Sequence, residues 1–231
     1  MANPNLRQWK ALERLGRYLK NRPRYIIHFE YQARAYLLNT FTDSDWAGDI
    51  VSRKSTSGGM VCVGDHCVRS WSSTQNVIAL SSGEAEYYAL VKAASVSLGL
   101  KALMADLGVQ MRIRLLTDAS TGKAISARRG LGKIRHLDVA QLWVQQMVHE
   151  GTLEVIKIKN DFNSADLFTK HLDRTTMEKC LDLIGHKFST GRSEVAPQLN
   201  ELISALCRMT DEHRQELLQL VKSGRFETRG Q

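Results

Sequence analysis

The order in which hydrophobic periodicity changes along the chain constrains its fold most. Residues 35–43, AYLLNTFTD, alternate apolar and polar side chains and read as a strand. MVCVG and HCVRSWSS read as two shorter strands joined by a tight turn at Gly64-Asp65. Residues 82–107 then switch to helical spacing and stop at Gly108. Residues 111–117, MRIRLLT, return to strand spacing, and TLEVIKIK follows as another strand. Between them a short helix is expected over 119–128 and a longer one over 136–150. NDFNSAD opens a further helix, with Asn163 or Ser164 as its N-cap. Strands that first form hairpins and then alternate with helices specify an α/β chain. Its sheet is five-stranded and mixed, three antiparallel strands and then two more, flanked by helices.

Extra helices are expected at both ends. Leu6, Trp9, Leu12, Leu15, Tyr18 and Leu19 recur at helical spacing over residues 6–20, and Pro23 stops that helix. Residues 25–31, YIIHFEY, read as a strand, and SRKSTSGG as a small polar loop. Beyond residue 172 two helical stretches, 173–185 and 197–222, are joined by the polar linker HKFSTGRSEVAP. The chain thus divides into a leading segment, 1–34, a central domain, 35–173, and a helical extension, 174–231.

A net charge of +8 on 231 residues, with a pI near 9.4, favours a polyanionic partner, nucleic acid rather than a membrane. No apolar run approaches the roughly 20 residues that span a bilayer, and MANPNLRQWK lacks the apolar core of a signal peptide. The expectation is an intracellular chain, cytoplasmic or nuclear. Cys62, Cys67, Cys180 and Cys207 form no CxxC pair and read as reduced thiols rather than zinc ligands.

Four acidic residues sit where this order of elements brings chemistry together. Asp43 ends a strand in FTDSDWAGD, Glu86 lies near a helix start in SSGEAEYYAL, Asp118 ends a strand in LLTDAS, and Asp166 opens a helix in NSADLFTK. Such a set suits two divalent cations about 3.5–4 Å apart, which cut phosphodiester bonds. Asp45, two residues from Asp43, points to the same side if the strand continues, and either supports the site or starts the loop. Glu84 and Glu86 lie about 200° apart around a helix, so both cannot face the site. Glu86 is in line with Ala89, Leu90, Ala93, Ala94 and Ser97, the face that packs on the sheet. Glu84 is in line with Tyr87 and Tyr88, and belongs instead to a capping box with Ser81, as a solvated acid.

The motifs FTDSDWAGD, STSGG, SWSS, SSGEAEYYAL, RHLDV and NSADLFTKHL, in that order, resemble the ribonuclease H region of copia-type (Ty1/copia) retrotransposon Pol polyproteins. The resemblance covers roughly residues 40–173, and residues 6–31 are similar to the stretch that joins reverse transcriptase to ribonuclease H. It implies a ribonuclease H-like fold and hydrolysis of the RNA strand of RNA·DNA hybrids. It also implies two magnesium ions, replaceable by manganese, held by Asp43, Glu86, Asp118 and Asp166. The reverse transcriptase of the same polyprotein is the implied partner. One departure is plain: KIKNDFNSAD contains no counterpart of the mobile histidine usual before the last aspartate, and His136 is the nearest substitute in sequence.

Lys123, Arg128, Arg129, Lys133 and Arg135 cluster after Asp118 and suit a phosphate-tracking patch, with a solvated basic loop as the alternative. Ser55, Thr56 and Ser57 could reach the sugar edge, where 2′-hydroxyls mark RNA. Trp71 reads as core. Two other functions stay open on sequence alone. One is a non-catalytic nucleic-acid-binding or structural remnant of the same fold. The other is a DNA-cutting nuclease with the same kind of carboxylate cluster.

Overall fold

The computed structural model describes residues 5–22, 24–132 and 141–191, with the isolated positions 210, 215 and 219. The chain forms two compact units, Tyr25–Phe188 and Met1–Arg24 with Ser189–Gln231. In the second, the described structure is helix α1, Leu6–Lys20. It begins at a full capping box: Asn5 Oδ1 accepts from the Gln8 amide at 3.0 Å, and the Gln8 side chain accepts from the Asn5 amide at 2.8 Å. The helical stretch expected at 197–222 lies outside the described residues apart from three positions.

The first unit is built on a five-stranded sheet. Its strands are β2 (Leu37–Asp45), β3 (Thr56–Val63), β4 (His66–Thr74), β5 (Arg112–Thr117) and β6 (Leu153–Lys157), in the order β4-β3-β2-β5-β6. The first three pair antiparallel, and β5 and β6 add in parallel beside β2. This is the mixed sheet expected of a ribonuclease H-like fold.

Alternation along β2 divides the core. Leu38 packs toward α2, Ser82–Asp106, within a cluster that includes Tyr87, Leu90, Ala94, Ile113 and Leu115. On the same strand, the Thr40 hydroxyl lies 2.7 Å from that of Ser97 in α2. Phe41 instead joins a smaller cluster of Met60, Cys62, Leu181 and Ile184. Leu181 belongs to α5, Arg174–Asp182, which Asp173 caps. By length and composition α2 could cross a bilayer, contrary to the expectation that no run approaches that length. Its apolarity is that of a core helix, since Ala89, Leu90, Ala93 and Ala94 are wholly buried.

Four local expectations are corrected. STSGG is part of β3 rather than a loop, because its glycines allow close approach. A Cβ on Gly59 would stand 2.6 Å from the Phe41 carbonyl oxygen and 2.3 Å from the Trp71 ring. Trp71 packs against the main core, as expected. NDFNSAD forms two short 3-10 turns, Asn160–Phe162 and Ser164–Phe168, rather than an α-helix. Residues 25–31 contribute only β1, Arg24–Ile27. Its partner is β7, His186–Ser189, in the segment read as a linker. Of the helix expected at 136–150, residues 136–140 lie outside the described residues, and α4 covers Trp143–His149. Helix α3, Ser120–Ala127, matches its expectation closely.

Two glycine substitutions should act in opposite directions. Gly59→Ala should lower stability by about 1–3 kcal/mol, through overpacking against Trp71 and Phe41. Gly99→Ala, in α2 with nothing within 4 Å of the added carbon, should raise it by about 0.5–1 kcal/mol. Urea denaturation of each variant measures both.

Candidate active site

Because β2 and β5 run parallel as neighbours, their C-terminal ends lie side by side. Asp43 stands near one end, opposite Gly58 of β3, and Asp118 directly follows the other. Glu86 comes from the N-terminal part of α2, and Asp166 from the second 3-10 turn. Four separate elements thus deliver the four acids that the motifs singled out, and their charges interact. Burial pushes the Glu86 carboxyl up to about 8, with the charges of Asp43 and Asp118 adding to the shift. Burial likewise raises Asp43 to about 6; the Thr169 hydroxyl and the Lys170 charge oppose that rise, and Asp166 adds to it.

Three of the four acids, Asp43, Asp118 and Asp166, are held by neighbours to which the motifs gave no part in the site. The Thr169 hydroxyl donates to Asp43 Oδ2. The buried Asn163 amide donates to the Thr42 carbonyl at 3.2 Å and to Asp118 Oδ1 at 3.3 Å, tying the last turn to the ends of both strands. Asn163 Oδ1 accepts from the Ala165 amide, as expected of an N-cap. Lys170 Nζ lies 2.8 Å from Asp166 Oδ1 and 3.2 Å from Asp43 Oδ2. Burial works against its charge, yet hydrogen bonds and attraction from the two aspartates hold the ammonium above the ordinary lysine range. Lys170 follows Asp166 by four residues inside the NSADLFTK motif, and that spacing was the available signal.

Among the described residues, no three His, Cys, Asp or Glu side chains converge closely enough to hold a metal ion as they stand. The donor set nevertheless fits a hard divalent cation. Four carboxylates share one strand edge, Glu86 Oε2 is buried without a hydrogen-bond partner, and burial opposes ionisation of both Glu86 and Asp43. A cation would reverse each of these costs.

The other candidates separate by placement. The Asp45 carboxylate lies against Gly48 at the start of the following loop. Glu84 takes part in the cap of α2, but not as a full capping box with Ser81: its amide donates to Ser81 Oγ at 3.2 Å, while its Oε2 accepts from the Leu80 amide, one residue before the cap, at 2.8 Å. It is buried rather than solvated, with 2% of its surface exposed. Ser55 and Ser57, expected at a surface, have their hydroxyls engaged inside the protein. Both are buried, the Ser55 hydroxyl accepting from the Ala47 amide and the Ser57 hydroxyl from the Gln75 side chain. Thr56 between them is half-buried. Of the basic cluster, Lys123 and Arg129 are exposed, whereas Arg128 donates to the Leu131 carbonyl within its own loop. The buried Gln145 side chain holds that loop by bonds to Ile125 and Gly130. Lys133, Arg135 and His136 lie outside the described residues.

No family model matches the chain. The chain is similar to the Pol polyprotein of transposon TNT 1-94 from Nicotiana tabacum, 29% identical over 187 residues, covering 80% of this chain and 14% of that protein. The Pol polyprotein of transposon RE1 from Arabidopsis thaliana is 29% identical over 189 residues, with 80% and 13% covered. The chain thus spans about one seventh of the length of these relatives, which are Pol polyproteins of the kind its motifs resemble. A secreted RxLR effector protein, 161, of Plasmopara viticola is 41% identical over 92 residues, covering 40% of this chain and 64% of that protein. Among solved structures, the N-terminal ribonuclease H domain of a Mycobacterium tuberculosis protein aligns with a TM-score of 0.42 at 16% identity, covering 64% of this chain and 98% of that one. Ribonuclease H1 from Halobacterium salinarum aligns with a TM-score of 0.38 at 18% identity, covering 58% and 94%.

The buried carboxyls give a pH signature. Glu86 titrates near 4.5 when unfolded and near 8 when folded. Its contribution to stability is therefore full below pH 4.5 and lost as pH rises through 8. With divalent ions chelated, Glu86→Gln should match the parent at acidic pH and exceed it above pH 8 by about 1–3 kcal/mol. Urea denaturation at pH 4.5 and pH 9 reads the difference; equal stability at pH 9 would show that the Glu86 carboxyl is not strained by burial.

Proposed function

We propose that this chain hydrolyses the RNA strand of RNA·DNA hybrids, as the ribonuclease H part of a copia-type Pol polyprotein. The observation that carries the reading is the meeting of Asp43, Glu86, Asp118 and Asp166, from four elements, at one end of the parallel strand pair. Two magnesium ions, or manganese, held by those four residues would activate the attacking water and stabilise the leaving 3′ oxygen.

The protein's own part is positioning and charge. Thr169 orients the Asp43 carboxylate, and Asn163 orients Asp118 from within the core. Outer hydrogen bonds of this kind fix ligand direction, and losing one typically costs about 10–100-fold in metal affinity or activity. The exposed Lys123 and Arg129, on the stretch that follows Asp118, supply positive charge for the hybrid's phosphates. The reverse transcriptase of the same polyprotein is the natural partner, since it produces such hybrids. The intact carboxylate set favours this reading over a non-catalytic remnant.

Magnesium-dependent cleavage of a labelled hybrid duplex by the full chain is the direct test. Asp43→Asn, Asp118→Asn and Glu86→Gln should each lower cleavage by more than about 100-fold, beyond the usual cost of an outer-shell change. Glu84→Gln should cleave normally, because a glutamine oxygen still accepts from the Leu80 amide. Asp43→Asn at the parent rate would overturn the site, and cleavage of the DNA strand instead would select the DNA-cutting reading.

Hybrid binding should also weaken steeply with salt. Neutralising Lys123 and Arg129 together should flatten the log–log salt slope by about two units. An unchanged slope would place the phosphate contacts elsewhere.

A further inference from the structure

Lys170 stands where an enzyme with four carboxylates would be expected to keep cations. Its ammonium bridges Asp166 Oδ1 at 2.8 Å and Asp43 Oδ2 at 3.2 Å, one acid from the last 3-10 turn and one from the central strand. By contrast, the Arg114–Glu154 and Arg174–Glu178 pairs involve none of the four acids. The Asp43 side chain is only 2% exposed and that of Asp166 11%, so neither acid can lean on water for compensation. The Lys170 side chain is 41% exposed. Its head can therefore swing into solvent without opening the core.

We propose that Lys170 is a resident counter-ion of this site: it holds Asp43 and Asp166 together without a divalent ion and leaves when one binds. The inference rests on the ribonuclease reading above, because it takes the same two aspartates as divalent-ion ligands. The oxygens that accept from Lys170 are among those a metal needs, so ammonium and metal compete for them. A divalent ion brings twice the charge and coordinates the carboxylates directly, which lets it win above a threshold concentration. The exposed stem makes the exchange local. The backbone of the turn stays anchored meanwhile, since the Lys170 and Thr169 amides both donate to the Asp166 carbonyl, at 3.1 and 3.3 Å. Thr169 can stay on Asp43 as Lys170 departs. Lys170 is thus a positioning residue, and it sets how much divalent ion the site needs.

The test uses the full 231-residue chain, stripped of metal, with K170M, K170Q and K170R. Manganese binding is followed by electron paramagnetic resonance of the free ion, and stability by thermal melting with and without manganese. K170M and K170Q should bind manganese at least about tenfold more tightly than the parent, a gain of about 1.4 kcal/mol. K170R, which keeps the charge, should bind within about twofold of the parent. Both neutral variants should melt below the parent without metal, and the gap should shrink at saturating manganese. Manganese affinity unchanged or weakened in K170M and K170Q would overturn the role given to Lys170, while leaving the ribonuclease reading in place. If neither the parent nor any variant binds manganese, the ribonuclease reading falls and this proposal falls with it.

Discussion

The parallel pairing of β2 with β5 is the constraint on which the rest of this structure depends. Leu38 opposite Ile113 and Thr40 opposite Leu115 set a register that brings both strands to the same edge. Parallel neighbours present their C-terminal ends together, and there Asp43 and Asp118 meet. An antiparallel β5 would send Asp118 to the far edge and leave Asp43 without its partner acid. The connection that makes the pairing parallel is α2, and α2 delivers Glu86 to the same edge. One topological choice therefore places three of the four acids.

Electrostatics then runs against packing. The sheet end is buried enough to raise Glu86 and Asp43, and a fold selected for stability alone would place apolar side chains there. Instead the chain offsets the repulsion with short-range partners: Thr169 on Asp43, Asn163 on Asp118, and Lys170 between Asp43 and Asp166. All three partners lie within eight residues of one another, in the turn after β6. That turn serves as the clasp of the site, and Gly58 makes room for it: a Cβ there would stand 2.5 Å from Thr169 Cγ2.

The strands of the sheet, though not their order, were legible because β2 and β5 are half-buried, and their alternation shows in any short window. Helix α2 was legible because its small apolar residues recur along one face and Ser81 marks its start. The choice of Glu86 over Glu84 followed from the same face. What escaped depended on distant partners. Residues 25–31 read as a strand, but β7 did not: it is four residues long, and the pairing that defines it reaches back across more than 150 residues to β1. Ser55 and Ser57 look like surface hydroxyls until Ala47 and Gln75 are seen to occupy them. The last turn looked like a helix start because Asn163 is a good N-cap. Its amide is also drawn to Thr42 and Asp118, and the segment closes as a 3-10 turn. Lys170 was visible as part of a motif, but its role needed Asp43, which is 127 positions away in the chain, to be placed beside it.

The small β1–β7 sheet has a mechanical meaning. It joins Arg24–Ile27 to His186–Ser189, so the polypeptide enters and leaves the Tyr25–Phe188 unit through one doorway. Tension applied to the flanking chain is met first by this short ladder and by the contact of Tyr25 with His186 and Phe188. The two ends of the unit are thus held side by side by four-residue strands, apart from the sheet that carries the acids.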